Sequence, residues 1–321
     1  METLTKRIVS IDVLRGLVIV LMALDHVRDY FHDDAFLHNP MDLTTTTPAL
    51  FFTRWITHFC APIFIFLAGI SAYLSGSKKS PKELQSFLIK RGIWLIVIEL
   101  TVVNFGWMFN PHFSASILQV IWAIGACMLM LGLIVRLPHK VILGLGIAII
   151  CLHNLLDLLP ASTQETFVYN LFHTSGFKAF PITENYRIVT VYGVLPWFGI
   201  MCLGYGMGYL FKANFEAAKR KIILQNVGIG MLIVFVVLRL INQYGNPTPY
   251  AAQSSFTYTF LSFLDVNKYP PSLMYTLLML GPAMLFLAWF ENAKNWLVQK
   301  LQIFGSVPFF FYIAHIYLIH V

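Results

Sequence analysis

The chain has 321 residues, of which 58% are hydrophobic and 12% charged, with a mean hydropathy of +0.70. A soluble globular domain carries about 25% charged residues, so water is not the solvent for most of this sequence; disorder, collagen, coiled coil and a disulfide-rich secreted scaffold are excluded as well. The net charge of +7 would suit nucleic acid only as a patch on a water-exposed domain; the basic residues instead fall in the turns between apolar runs, so no nucleic-acid partner is expected. Cys60, Cys127, Cys151 and Cys202 all lie inside apolar runs and read as small core residues without a compartment signal.

A bilayer core of about 30 Å needs roughly 20 apolar residues per helix. Nine stretches qualify in chain order, near 11–30, 50–75, 87–109, 116–136, 141–159, 190–211, 222–241, 271–290 and 301–321. The expectation is an all-α, polytopic membrane bundle of about nine transmembrane helices, forming a single domain over residues 1–321. The first stretch is no cleaved signal peptide, because Asp12 and Arg15 interrupt its apolar run and no small-residue cleavage site follows. The last is short if it begins near Pro308 and crosses only if it begins at Leu301, which leaves a truncated C-terminus open.

Orientation follows from Lys and Arg. One set of connections holds 15 of the 22 basic residues, while the opposite set holds only Lys178, Arg187 and Lys268. The N-terminus is therefore expected in the cytoplasm. The long loops 31–49, 160–189 and 242–270 then lie outside, and their many aromatics suggest folded caps rather than disorder. No internal repeat of the kind common in secondary transporters is evident.

Ionisable residues inside a membrane are expensive, and they are functional candidates for that reason. The first stretch has the densest set: Asp12, Arg15, Ile19, Met22, His26 and Asp29 recur at spacings of three and four, along one helix stripe. Arg15 and His26 are 11 residues apart, about 16.5 Å along a helix and within roughly 20° of one direction. A structural ion pair of Arg15 with Asp12 and a solvated helix end are the competing readings. Glu99 lies mid-stretch with Asn104 and Trp107 beyond it, and is either a helix–helix fastener or functional. His58 reads as a packed histidine or a functional one; Gln119, Trp122 and His315 are weaker candidates, and Arg239 is expected to snorkel. The segment FHDDAFLHNPMD is rich in His and Asp but lacks a metal-ligand spacing, so no metal is expected. No P-loop, G-x-G-x-x-G or G-x-S-x-G motif occurs, and the glycines of LGYGMGYLF read as helix packing.

The segments SIDVLRGLVIVLMALDHVRDYF, RWITHFCAPIFIFLAGISAYL, KRGIWLIVIELTVVNFGW, LQVIWAIG, YGVLPWFGIMCLGYGMG, NKYPPSLMYTLLMLGPA and FGSVPFFFYIAHIYLIH together resemble the catalytic-domain family of heparan-α-glucosaminide N-acetyltransferase. The spacing of Arg15 to His26 also resembles the first-helix signature of polytopic acyltransferases that decorate bacterial surface glycans. The resemblance implies acetyl transfer from cytoplasmic acetyl-coenzyme A to an amino-sugar or glycan acceptor on the far side of the membrane. It implies Arg15 facing the coenzyme and His26 at the reacting centre. In the lysosomal enzyme of the family the catalytic histidine lies in the loop after the first span, so His32 and His38 stay as rivals.

Chemistry sharpens the assignment. A basic inner mouth of Arg15, Lys90 and Arg91 would hold the phosphates, and an attacking amine or hydroxyl needs a base of near-neutral pKa, which histidine supplies. His26 is the first candidate, as base or as acyl carrier, with Asp29 as its orienter and His32 and His58 as further catalytic candidates. Glu99, Asn104, Trp107 and Gln119 are the candidate substrate pocket. The expected partners are acetyl-coenzyme A, the acceptor, the bilayer (a plasma or inner membrane in a bacterium) and a second copy in a homodimer. A transporter or flippase of a lipid-linked sugar is the alternative function, and a non-catalytic scaffold the next.

Overall fold

The computed structural model describes residues 9–32, 39–174 and 176–320, which are mostly helical. Among the described residues, four helices are long and apolar enough to cross a membrane: Pro48–Lys78, His139–Leu158, Val194–Phe211 and Ala217–Ile241. A fifth arises if Trp296–Ser306 and Pro308–Ile319 count as one span, bent by 85°. By length and composition alone that gives four or five among the described residues, and the other expected stretches differ for local reasons. The stretch 11–30 is helical over Val9–Phe31 but carries Asp12, Arg15, Asp25, Arg28 and Asp29. The stretch 87–109 is broken by a π-helical turn, Glu99–Val103, between Pro81–Ile98 and Asn104–Met108. The stretches 116–136 and 271–290 become the shorter apolar helices Val120–Ile134 and Leu273–Trp289.

The chain forms two compact units. The first comprises Met1–Phe64, Glu216–Asn267 and Met274–Val321, and the second Ile65–Phe215 and Lys268–Leu273.

In the second unit, Pro81–Ile98 starts with a capping box: Ser80 takes the Glu83 N–H, the Glu83 side chain takes the Ser80 N–H, and Pro81 fills the first turn. This helix packs on Val120–Ile134, with Gly92 and Gly125 at the crossing, where a methyl on either would lie 2.7–2.8 Å from the other's carbonyl oxygen. Val194–Met207 packs on His139–Leu152 in the same way, its Gly206 set against Leu143 and its Gly204 against Phe66. The LGYGMGYLF glycines are indeed packing positions.

The expected all-helical architecture misses a small sheet. Strands β1 (Ala115–Leu118), β2 (Lys178–Thr183) and β3 (Tyr186–Thr190) stand in the order β1-β3-β2. β1 runs parallel to β3, with Ala115 opposite Arg187 and Leu118 opposite Thr190, and β2 is antiparallel to β3. The 160–189 loop is folded, as its aromatics suggested: it holds the helices Ala161–Gln164 and Phe167–His173 and the β2–β3 hairpin.

In the first unit, the opening helix Val9–Phe31 packs against both arms of the bent pair Trp296–Ser306 and Pro308–Ile319. The 242–270 loop contains the helix Phe256–Leu264, capped at its start by Ser255. Arg239 ends the Ala217–Ile241 helix and does not snorkel: it is 1% exposed. Its guanidinium donates to the carbonyls of Phe263 (3.0 Å), Thr248 (3.2 Å), Ser262 (2.8 Å) and Asp265 (2.7 Å). One cation thus satisfies the orphan carbonyls at the end of Phe256–Leu264, where the helix dipole also favours positive charge. Arg239→Leu should leave several buried acceptors unpaired, at about 1–3 kcal/mol each. The expected outcome is a loss of about 3 kcal/mol or more, read as a lower Tm of the detergent-solubilised protein.

Candidate functional site

The opening helix divides its surface between two environments. Val20, Leu24, Val27 and Phe31 recur at spacings of four, three and four and are exposed, as a lipid-facing edge would be. The opposite stripe is covered: Asp12, Gly16, Ile19 and Met22 are buried, and Arg15 and His26 each meet the bent pair. The polar stripe therefore faces protein.

At its inner-numbered end, Arg15 Nη1 bonds Asp12 Oδ1 at 3.0 Å and donates to the Gly305 carbonyl at 3.3 Å. The two helices are in backbone contact here. A methyl built on Gly16 would stand 1.9 Å from the Leu301 carbonyl oxygen, and one on Gly305 would stand 1.7 Å from that of Asp12. No thin ligand can pass between these two helices at the level of Arg15. The structural ion pair with Asp12, one of the competing readings of the sequence, is present, and it uses part of the Arg15 charge.

At the other end, His26 Nδ1 lies 2.6 Å from His315 Nε2, with the rings nearly parallel at 9°. His315 Nδ1 lies 2.9 Å from the Phe311 carbonyl oxygen. The network assigns the tautomers. A carbonyl only accepts, so His315 Nδ1 carries its proton, and in the neutral pair His315 Nε2 must accept. His26 Nδ1 is then the donor, and the lone pair of His26 sits on Nε2. A histidine oriented by a second group, with its base nitrogen on the far side, has the arrangement of a general base or nucleophile.

The orienting group differs from the one expected. Asp29 bonds Arg28 Nη2 at 2.7 Å and does not serve His26. About 100° around the same helix from His26, Asp25 is the centre of a network, accepting from Arg28 Nη2 at 2.5 Å, Arg54 Nη1 at 2.8 and 2.9 Å, and Thr57 Oγ1 at 2.8 Å. That network fastens the opening helix to the segment Pro48–Phe59, whose first turn is set by the Thr47 cap and Pro48. Arg54 and Thr57 are the partners that sequence reasoning missed; His315 was a weaker candidate there, and its pairing with His26, 289 residues away, is one that no spacing rule reaches.

The remaining candidates are placed as follows. His32 is exposed and lines a cavity of about 410 Å3 together with Leu24, Arg28, Thr47, Leu50 and Thr53. His38 lies outside the described residues. His58 is buried; its carbonyl accepts the Tyr275 hydroxyl at 2.6 Å and its ring packs on the Tyr275 ring at 5.7 Å, as a packed histidine would. Lys90 and Arg91 are exposed on Pro81–Ile98 in the second unit. Among the described residues, no group of three or more His, Cys, Asp or Glu side chains is disposed to hold a metal.

The four pocket candidates also lie in the second unit. Glu99 is fully buried, and its Oε2 accepts the Trp122 N–H at 3.0 Å in the first turn of Val120–Ile134. That is a helix cap delivered by the π-helical turn. Asn104 donates to the carbonyls of Glu99 (2.7 Å) and Ile117 (3.1 Å) and accepts the Ile117 N–H at 2.6 Å, so it pairs with β1 as another strand would. Gln119 is the residue before Val120–Ile134, and Trp107 is half-buried beyond the π turn. Asn104 thus has a structural duty that accounts for its burial, whereas Glu99 caps a helix with Oε2 and keeps Oε1 buried without a hydrogen-bond partner.

Residues 7–237 match the family model described as heparan-alpha-glucosaminide N-acetyltransferase, catalytic. The chain belongs to that family. No curated protein gives a significant match. Membership implies an acetyltransferase that uses acetyl-coenzyme A, and the apolar helices fit an integral membrane protein. The matched span includes Arg15, His26 and the whole Asp25 network and ends within Ala217–Ile241. His315, on the last helix, lies beyond it.

Proposed function

We propose that this acetyltransferase moves an acetyl group from cytoplasmic acetyl-coenzyme A to an amino-sugar or glycan acceptor on the opposite side of the membrane, with His26 as the base. The observation that carries the proposal is the His26–His315 pair, which fixes a base nitrogen on the polar stripe of a charged, protein-facing helix in a chain of this family. The N-terminus is placed in the cytoplasm by the excess of Lys and Arg on one set of turns.

In this reading the acceptor amine gives its proton to His26 Nε2 as its nitrogen bonds the acetyl carbon. The thioester carbon–sulfur bond breaks, and the thiolate leaves with the electron pair. His315 keeps His26 in the tautomer that can receive the proton and shares the resulting charge. Of the three basic candidates for the coenzyme phosphates, Lys90 and Arg91 offer exposed cations, while Arg15 already holds Asp12.

Acetyl-coenzyme A, in large excess over its Kd, is expected to raise the Tm. The Lys90→Gln/Arg91→Gln double variant should shrink that shift more than Arg15→Lys does, and no shift in the wild type would contradict donor binding. A second reading is favoured by one observation: His32 lines the 410 Å3 cavity. If His32→Ala abolishes turnover and His26→Ala does not, His32 is the base.

A further inference from the structure

A histidine cluster in the second unit takes no part in the reaction above. The helix His139–Leu158 ends in a tight turn, His153–Leu158, and the short helix Phe167–His173 of the folded 160–189 loop closes over it. His173 Nε2 bonds Asp157 Oδ1 at 2.9 Å, the Tyr169 hydroxyl donates to the Leu156 carbonyl at 3.3 Å, and the His153 and His173 rings meet edge to face at 5.3 Å. Asn154 steadies the turn: its amide donates to Asp157 Oδ2 at 2.9 Å and its side-chain oxygen accepts the Leu273 N–H at 3.0 Å. The closure is tight. His153 is 3% and His173 1% exposed, and a methyl on Gly193 would stand 2.5 Å from the Thr174 nitrogen.

Hydrogen-bond accounting singles out His153. Among the described residues, neither of its ring nitrogens has a hydrogen-bond partner, and nor has Nδ1 of His173. All three atoms are sealed from solvent, so no ligand reaches them while the helix is closed. A carboxylate only accepts, so His173 Nε2 carries the proton of that pair, and a second proton on His173 would be balanced by Asp157. A second proton on His153 has no such answer. The ring would hold two N–H groups, of which the nearby Pro271 carbonyl can meet at most one, and both Asp157 oxygens are already engaged. The other groups on the packed elements do not help: Lys268 is itself a cation and lies over the Tyr269 ring at 5.2 Å, and Glu165 pairs with Lys178 at 2.7 Å. A buried charge with an unmatched N–H is expensive.

We propose that this cluster is an acid-sensitive latch, which holds the helix Phe167–His173 down at neutral pH and releases it when His153 is protonated. A histidine in water has a pKa of about 6.5. The closed cap is therefore favoured above that pH and loses ground as the pH falls below it. For one histidine that gains its proton on opening, the opening constant rises about tenfold between pH 7.5 and pH 5.5.

Hydrogen exchange of the full chain in detergent, followed on peptides covering residues 167–174 and 120–134, tests the latch. In the wild type, protection at 167–174, corrected for the intrinsic rate, should fall about tenfold between these two pH values, while that at 120–134 holds. In His153→Phe, which keeps a ring but no nitrogen, the fall should be less than about twofold. His153→Leu is expected to behave alike and serves where the phenylalanine variant does not fold. Unchanged protection in the wild type, or an equal fall in wild type and variant, overturns the latch. So does a fall of the same size at 120–134, which would show general acid unfolding. Acetyl transfer is not part of the readout, so failure here leaves the enzymatic reading intact.

Discussion

His26→Ala is expected to lower the turnover of acetyl transfer by about 10²–10⁴-fold, the usual contribution of a positioned general base. The variant should still fold, since the loss removes the hydrogen bond to His315 at a half-buried site. The companion substitution tests the relay. His315→Phe deletes the acceptor that holds the His26 Nδ1 proton, so it should lower kcat by about 10–100-fold with little change in KM for the coenzyme. His315→Gln can present a carbonyl oxygen to the same proton and should recover a substantial part of the loss. A residue that only packed the last helix would respond alike to both replacements. Unchanged turnover in His26→Ala removes it from the chemistry.

Gly305→Ala should be the most damaging small substitution for stability. Its methyl would meet the Asp12 carbonyl oxygen at 1.7 Å and the Gly16 nitrogen at 2.8 Å, and both obstacles are backbone. The two helices must separate, the Arg15 bond to the Gly305 carbonyl is lost, and His315 on the following helix is displaced from His26. Overpacking typically costs about 1–3 kcal/mol, and an immovable backbone places this case at about 3 kcal/mol or above. Gly230→Ala is the control: nothing lies within 4 Å of its methyl, and a helical Gly-to-Ala change should be neutral or stabilising by about 0.5–1 kcal/mol. Thermal melts of the two variants against the wild type check both expectations. Equal melting temperatures for Gly305→Ala and the wild type would show that the crossing is looser than the structure has it.

The helical character of the chain and the polar stripe could be read from periodicity, because both depend on local spacing. Arg15 and His26 do share a protein-facing side, with Val20, Leu24, Val27 and Phe31 opposite. Hydropathy alone does not register the π-helical turn at Glu99 or the bend at Val307, so nine apolar stretches correspond to four or five helices that are long and apolar enough among the described residues. The sheet was missed because β1 has four residues and takes part of its pairing from the Asn104 side chain. Asp29 was preferred as the orienter of His26 by its position on the stripe, yet the neighbouring Arg28 cation holds its carboxylate. Arg239 looked like a snorkelling residue at a helix end until the carbonyls of residues 248–265 closed around it. Apart from Arg28, which is the sequence neighbour of Asp29, the deciding partner comes from another part of the chain or from an irregular turn, neither of which leaves a periodic trace.

Transfer across a sealed bilayer is the most direct measurement. Purified protein in vesicles, with acetyl-coenzyme A trapped inside and glucosamine added only outside, should yield external N-acetylglucosamine, and the His26→Ala vesicles should yield almost none. Product that forms only when donor and acceptor share one compartment would contradict transmembrane transfer by this helix.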